Sequence, residues 1–184
     1  MALERVRESV SAGTRPTKLL LVGAAALIAG GTALVITGPP RWAGVAAAGA
    51  GVLLVASGAR VLRDHPPLDL FLDSVVDRAF DGCLLSAVAL VLRMADRVTA
   101  AVAAAALVAS FIAAYERARG RALGYPVEDS VPVRAVRYWL VSLGLLVPGW
   151  LRGTLAAVLG LSALSIAVRA SQVAKQEREG GPGA

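Results

Sequence analysis

Apolar residues run along this chain in long blocks, separated by short connections in which charges, glycine and proline collect. The blocks predict six helices, over residues 17–36, 42–60, 68–92, 98–115, 134–147 and 151–168. Thr37-Gly38-Pro39-Pro40 closes the first, because proline fixes φ and lacks the amide that a continuing helix needs. His65-Pro66-Pro67 precedes the third and Pro148-Gly149-Trp150 the sixth. The fifth is the shortest, with an apolar core below the length of a full span and Arg134 and Arg137 at its start. Residues 19–36 and 98–114 carry almost no polar group on any helical face, and a helix apolar all round belongs inside a core or in lipid. The pattern therefore reads as an all-α, polytopic membrane protein with six transmembrane helices. It divides the chain into an N-terminal segment 1–16, a membrane domain 17–169 and a polar, disordered tail 170–184.

Composition agrees with the pattern. Of 184 residues, 57% are hydrophobic and the mean hydropathy is +0.66, which excludes an ordinary soluble domain. The formal charge of +6 is read as topology. All of the 19 Lys and Arg residues except Arg41, Arg78, Arg93, Arg97 and Arg152 fall on one side of a six-span arrangement, so both termini are expected in the cytoplasm. Basic residues on that side also attract anionic membrane lipids. Aromatic residues make up 5% and do not interleave with basic ones, so no nucleic-acid platform is expected. Cys83 is single, which rules out an internal disulfide. No G-x-S-x-G accompanies the one histidine, His65, so hydrolase chemistry has no support. Clustered small residues, among them Gly30-Gly31 and Gly49-Ala50-Gly51, allow close helix packing. The preference for Arg over Lys and for Ala, Gly and Val points to a GC-rich bacterial genome, and so to the bacterial inner membrane.

The third predicted helix departs from this apolar background. Asp69, Asp73, Asp77 and Asp81 recur at every fourth position. Each step of four residues rotates only about 40° around a helix, so the carboxylates form one drifting stripe. A carboxylate in a bilayer costs several kcal/mol unless it meets a counter-charge, a polar cavity or a metal. Hard cations such as Mg²⁺ and Mn²⁺ take oxygen ligands, which makes Asp69, Asp73 and Asp77 candidate metal ligands, with Asp64 and His65 in the preceding loop. Arg60, Arg63 and Arg78 are close enough in sequence to act as counter-ions instead, which would leave an ion-paired structural element.

Residues around the stripe resemble the CDP-alcohol phosphatidyltransferase family. Its signature is D-x-x-D-G-x-x-A-R, eight residues, then G-x-x-x-D-x-x-x-D. Ala59-Arg60 stand at the family's spacing from Asp73 and Asp77, Ala114-Tyr115-Glu116-Arg117-Ala118-Arg119 is similar to a motif ending its fourth helix, and Arg134-Ala135-Val136-Arg137 to the start of its fifth. The resemblance implies six helices and transfer of a phosphatidyl-type group from a CDP-linked lipid to an alcohol, with release of CMP, in phospholipid biosynthesis. It further implies a metal site of Mg or Mn at Asp73 and Asp77, Asp77 as the base for the acceptor alcohol, and Arg60, Arg117, Arg119, Arg134 and Arg137 as nucleotide- or phosphate-binding residues. The family's first two aspartates fall on Val52 and Val55, and its second glycine on Asp69. Valine cannot ligate a metal, so the metal site is expected weakened or lost. The alternative is a non-catalytic pseudoenzyme, acting as a lipid-binding subunit or as a membrane partner in a homodimer or in a heteromer with an intact relative. A carboxylate-lined proton or cation path is a third reading, opposed by the lack of polar groups other than Ser86 between Asp81 and Arg93.

Overall fold

The computed structural model describes residues 2–64, 67–125 and 131–178, and all regular structure among them is α-helical. The helices are α1 (Ala2–Thr37), α2 (Pro40–Asp64), α3 (Pro67–Leu92), α4 (Arg97–Ala122), α5 (Val131–Leu146) and α6 (Leu151–Arg178). Each of the six expected helices is present, with ends that differ. The expected tail from residue 170 is helical to Arg178, because α6 continues beside the end of α4, where the Tyr125 hydroxyl donates to Glu177. His65 lies outside the described residues, as do the side chains of Arg63 and Asp64.

Among the described residues four stretches are long and apolar enough to cross a membrane: Pro16–Thr37, Pro40–Val61, Arg97–Ala122 and Leu151–Arg178. The chain is thus an all-helical protein of membrane type. The other two helices differ from the simple expectation of six apolar spans. α3 is 26 residues long, about 39 Å, but carries four aspartates and Arg78. α5 has only 16 residues, about 24 Å.

Side-chain pairings give the helix directions. A methyl group added at Gly44 would meet Leu146, and one at Gly51 would meet Tyr138, so α2 and α5 run antiparallel. α3 and α4 form an antiparallel hairpin, with Arg78 and Asp81 both bonded to Ser110. Arg152 bonds to Thr99 and Arg169 to the Ala113 carbonyl, which makes α4 and α6 parallel. Between two parallel helices the chain must return along the bundle, and α5 makes that return.

Local chemistry sets the turns. Asp96 caps α4 by accepting from the Thr99 amide at 3.1 Å and hydroxyl at 2.6 Å, and Arg152 of α6 closes on the same carboxylate at 2.9 Å. Gly124 and Gly149, both at φ 85°, supply the left-handed residues that follow α4 and α5. The core is built from Leu54, Phe80, Leu84, Val88, Tyr138 and Leu155, all nearly or fully buried, while Leu19, Val22, Val108 and Leu164 are exposed. Apolar side chains facing outward from a helical bundle suit a hydrocarbon solvent.

Candidate functional site

The aspartate stripe of α3 faces the inside of the bundle. Asp69, Asp73, Asp77 and Asp81 are all buried, at most 3% exposed. Asp73 accepts from the Ser57 hydroxyl of α2 at 2.7 Å on Oδ1 and from Arg134 Nη2 of α5 at 2.8 Å on Oδ2. Asp77 Oδ1 accepts from Arg137 Nη2 at 2.8 Å and from the Tyr138 hydroxyl, while Oδ2 accepts from Arg78. Asp81 Oδ2 accepts from the Ser110 hydroxyl of α4, and its Oδ1 lies 3.0 Å from Arg137 Nε. Arg78 is held in turn by the Ser110 carbonyl at 2.9 Å.

The local sequence explains the convergence. Positions 134, 137 and 138 lie at i, i+3 and i+4, one face of α5, and that face meets the stripe. Gly51 and Gly44 let α5 approach α2 closely enough for this. The ring of Phe80 packs edge-on against Tyr138, with centroids 4.7 Å apart, and fixes the hydroxyl toward Asp77. Three carboxylates and three guanidinium groups, linked through shared donors, make a charge-balanced buried network.

Of the arginines near in sequence, Arg78 pairs with Asp77 and Asp81, and the other counter-ions come from α5. Arg60 is exposed and bonds to none of these aspartates, whereas Arg134 and Arg137, expected to contact phosphate, are the main partners. Asp69 stands apart, fully buried with neither carboxylate oxygen hydrogen-bonded.

Beside the network lies a cavity of about 570 Å³. Val61, Leu70, Phe71 and Phe111 form its apolar wall, and Asp73, Asp77, Arg78, Arg117, Arg121 and Arg134 its polar one. Behind it, Arg117, Arg134, Arg137 and Arg169 surround a small void with Ser162 and Ser165, of about 10 Å³, enough for about one water. Arg119 lies elsewhere, exposed, on a groove between the ends of α4 and α6. Tyr138, Ser57, Ser110 and Arg169 escaped the sequence reading. The i, i+3, i+4 spacing of Arg134, Arg137 and Tyr138 is a signal for one of them; Arg169, 8% exposed, carries no sequence signal beyond topology.

A metal fits this donor set poorly. Among the described residues no three His, Cys, Asp or Glu side chains come together to hold one. Both oxygens of Asp73 and of Asp77 accept hydrogen bonds, Asp81 Oδ2 accepts one while its Oδ1 lies 3.0 Å from Arg137 Nε without one, and α2 contributes Val52, half exposed, and Val55, packed against the core. What the arrangement can do is present guanidinium groups from three helices to an anion that enters with an apolar portion. No protein-family model matches the chain, and no curated protein does.

Proposed function

We propose that this protein is a membrane protein of the CDP-alcohol phosphatidyltransferase type that binds a phosphate-bearing lipid, of the CDP-linked class, without transferring its phosphatidyl group. The observation that carries this reading is the commitment of Asp77. As a base it would have to accept the proton of an alcohol, yet one oxygen takes Arg137 and Tyr138 and the other Arg78. The cavity beside it pairs apolar walls with Arg78, Arg117, Arg121 and Arg134, a lining suited to a lipid phosphate and the first part of its acyl chains.

Within this proposal all six helices cross the bacterial inner membrane, with both termini in the cytoplasm. Support comes from the parallel pairing of α4 and α6, which requires α5 to run the depth of the bundle. The arginines of the cavity then sit near the cytoplasmic face, where lipid precursors carrying a nucleotide would be met.

The test uses purified protein in phosphatidylcholine nanodiscs, titrated with CDP-diacylglycerol and incubated with a panel of polyol and phosphorylated alcohols. Saturable binding with no CMP release above empty nanodiscs is expected. CMP release that depends on Asp77 would restore the catalytic reading and overturn this one.

A further inference from the structure

We propose that Arg134 and Arg137 stand where divalent cations would otherwise be needed among these aspartates, so that the cavity takes its lipid without metal. The exclusion of metal stands on the aspartates alone; the lipid half rests on the function proposed above.

A Mg²⁺ or Mn²⁺ ion requires several oxygen ligands turned toward it at about 2.1 Å in near-octahedral order, whereas these carboxylates are turned toward cationic donors. On Asp73 each oxygen already carries a donor, Ser57 at 2.7 Å on one and Arg134 at 2.8 Å on the other. Asp77 has three donors, and Asp81 is held by Ser110 and by Arg137 at 3.0 Å. Arg137, 5% exposed, bridges two of the aspartates, and Arg134 lies 3.7 Å from Asp77 as well as on Asp73. Three carboxylates facing three guanidinium groups are already neutral. A divalent ion would add two charges to a low-dielectric interior, which is costly unless arginines leave.

Asp69 does not repair the deficit. It is the member of the stripe with neither oxygen hydrogen-bonded, but a single carboxylate one turn away cannot encircle an ion. Arg134 reaches both the aspartates and the cavity wall, so the residue that neutralises the carboxylates is also the one presented to a phosphate. A guanidinium fixed by two carboxylates is preorganised for bidentate phosphate contact, the work a metal would do.

The experiment titrates Mn²⁺ into the wild-type protein in nanodiscs and reads the free-ion signal by electron paramagnetic resonance, then measures CDP-diacylglycerol binding in EDTA and in Mn²⁺. No Mn²⁺ uptake beyond empty nanodiscs is expected, with lipid affinity the same in both buffers. Arg134→Gln should weaken lipid binding about tenfold, the loss of one charge-assisted hydrogen bond. The double variant Arg134→Gln, Arg137→Gln should gain Mn²⁺ uptake as the carboxylates are released. Stoichiometric Mn²⁺ binding by the wild type that Asp73→Asn abolishes would overturn the inference, as would a folded double variant that takes up no Mn²⁺. Lipid that binds in neither buffer would overturn the lipid half and the proposed function, while the Mn²⁺ titration would still decide the metal.

Discussion

Asp77 accepts from Arg78, Arg137 and Tyr138, and removing its charge takes one carboxylate away from a network that holds three guanidinium groups. Asp77→Asn is expected to destabilise the protein by about 3–5 kcal/mol, the usual result of breaking one side of a buried ion pair. Tyr138→Phe, which deletes a single donor to the same oxygen, should cost about 1–3 kcal/mol. Asp69→Asn should be neutral or stabilising, since it removes a buried charge that has no hydrogen-bond partner. Reversible unfolding in mixed micelles would rank the three; an Asp69 variant as damaged as Asp77→Asn would show that both carboxylates are equally needed. At the other end of the bundle, the Thr99 hydroxyl and amide, then Arg152, hold the Asp96 carboxyl at about 2, below the ordinary 3.8. A depressed folded value means that the ionised cap stabilises above pH about 4 and is lost as the pH falls toward 2. The melting-temperature gap between wild type and Asp96→Ala should therefore narrow over that window, and a gap independent of pH would mean that the charge is not what holds the cap.

Between helices, closeness is decided by which glycines face a neighbour. A methyl at Gly44 would lie 2.8 Å from the Leu146 backbone nitrogen and 3.0 Å from the Ser142 carbonyl, atoms that cannot rotate away. Gly44→Ala should cost about 1–3 kcal/mol and loosen α2 from α5. Gly30 has nothing within 4 Å of such a methyl, so Gly30→Ala should be neutral or gain about 0.5–1 kcal/mol from helix propensity. The same unfolding measurement distinguishes them, and equal effects would refute the packing argument. The helices themselves were readable, because long apolar runs end at prolines and glycines that block continuation. The extension of α6 past Val168 was not, since a polar stretch carries no apolar period and is ordered only by the neighbouring end of α4. The carboxylate stripe was legible from its spacing of four. Arg78 was legible as a partner, but those on α5 were hidden, because a one-dimensional pattern does not say which helix faces α3; nearness in sequence favoured Arg60, which is exposed, over Arg134, sixty-one residues from Asp73.

For the molecule as a whole, the hairpin of α3 and α4 and the return of α5 place Met94 and Gly124 at opposite ends of the bundle. In a Cys83→Ser background, Met94→Cys and Gly124→Cys should react with an impermeant maleimide from opposite faces of the membrane. Labelling from the same face would mean that α3 does not cross. Charge is also unevenly distributed along the bundle axis: the network occupies α3 up to Asp81, and the stretch from Gly82 to Leu92 beyond it is uncharged. The long separation between Asp73 and Arg134 has a consequence for synthesis. At roughly 5–20 residues per second, a ribosome needs about 3–12 s to deliver the sixty-one residues that separate them. During that interval the aspartate helix has Ser57, Arg78 and, once α4 follows, Ser110 to shelter its carboxylates, but neither Arg134 nor Arg137. The order of birth of the helices thus differs from the order in which the carboxylate network can close.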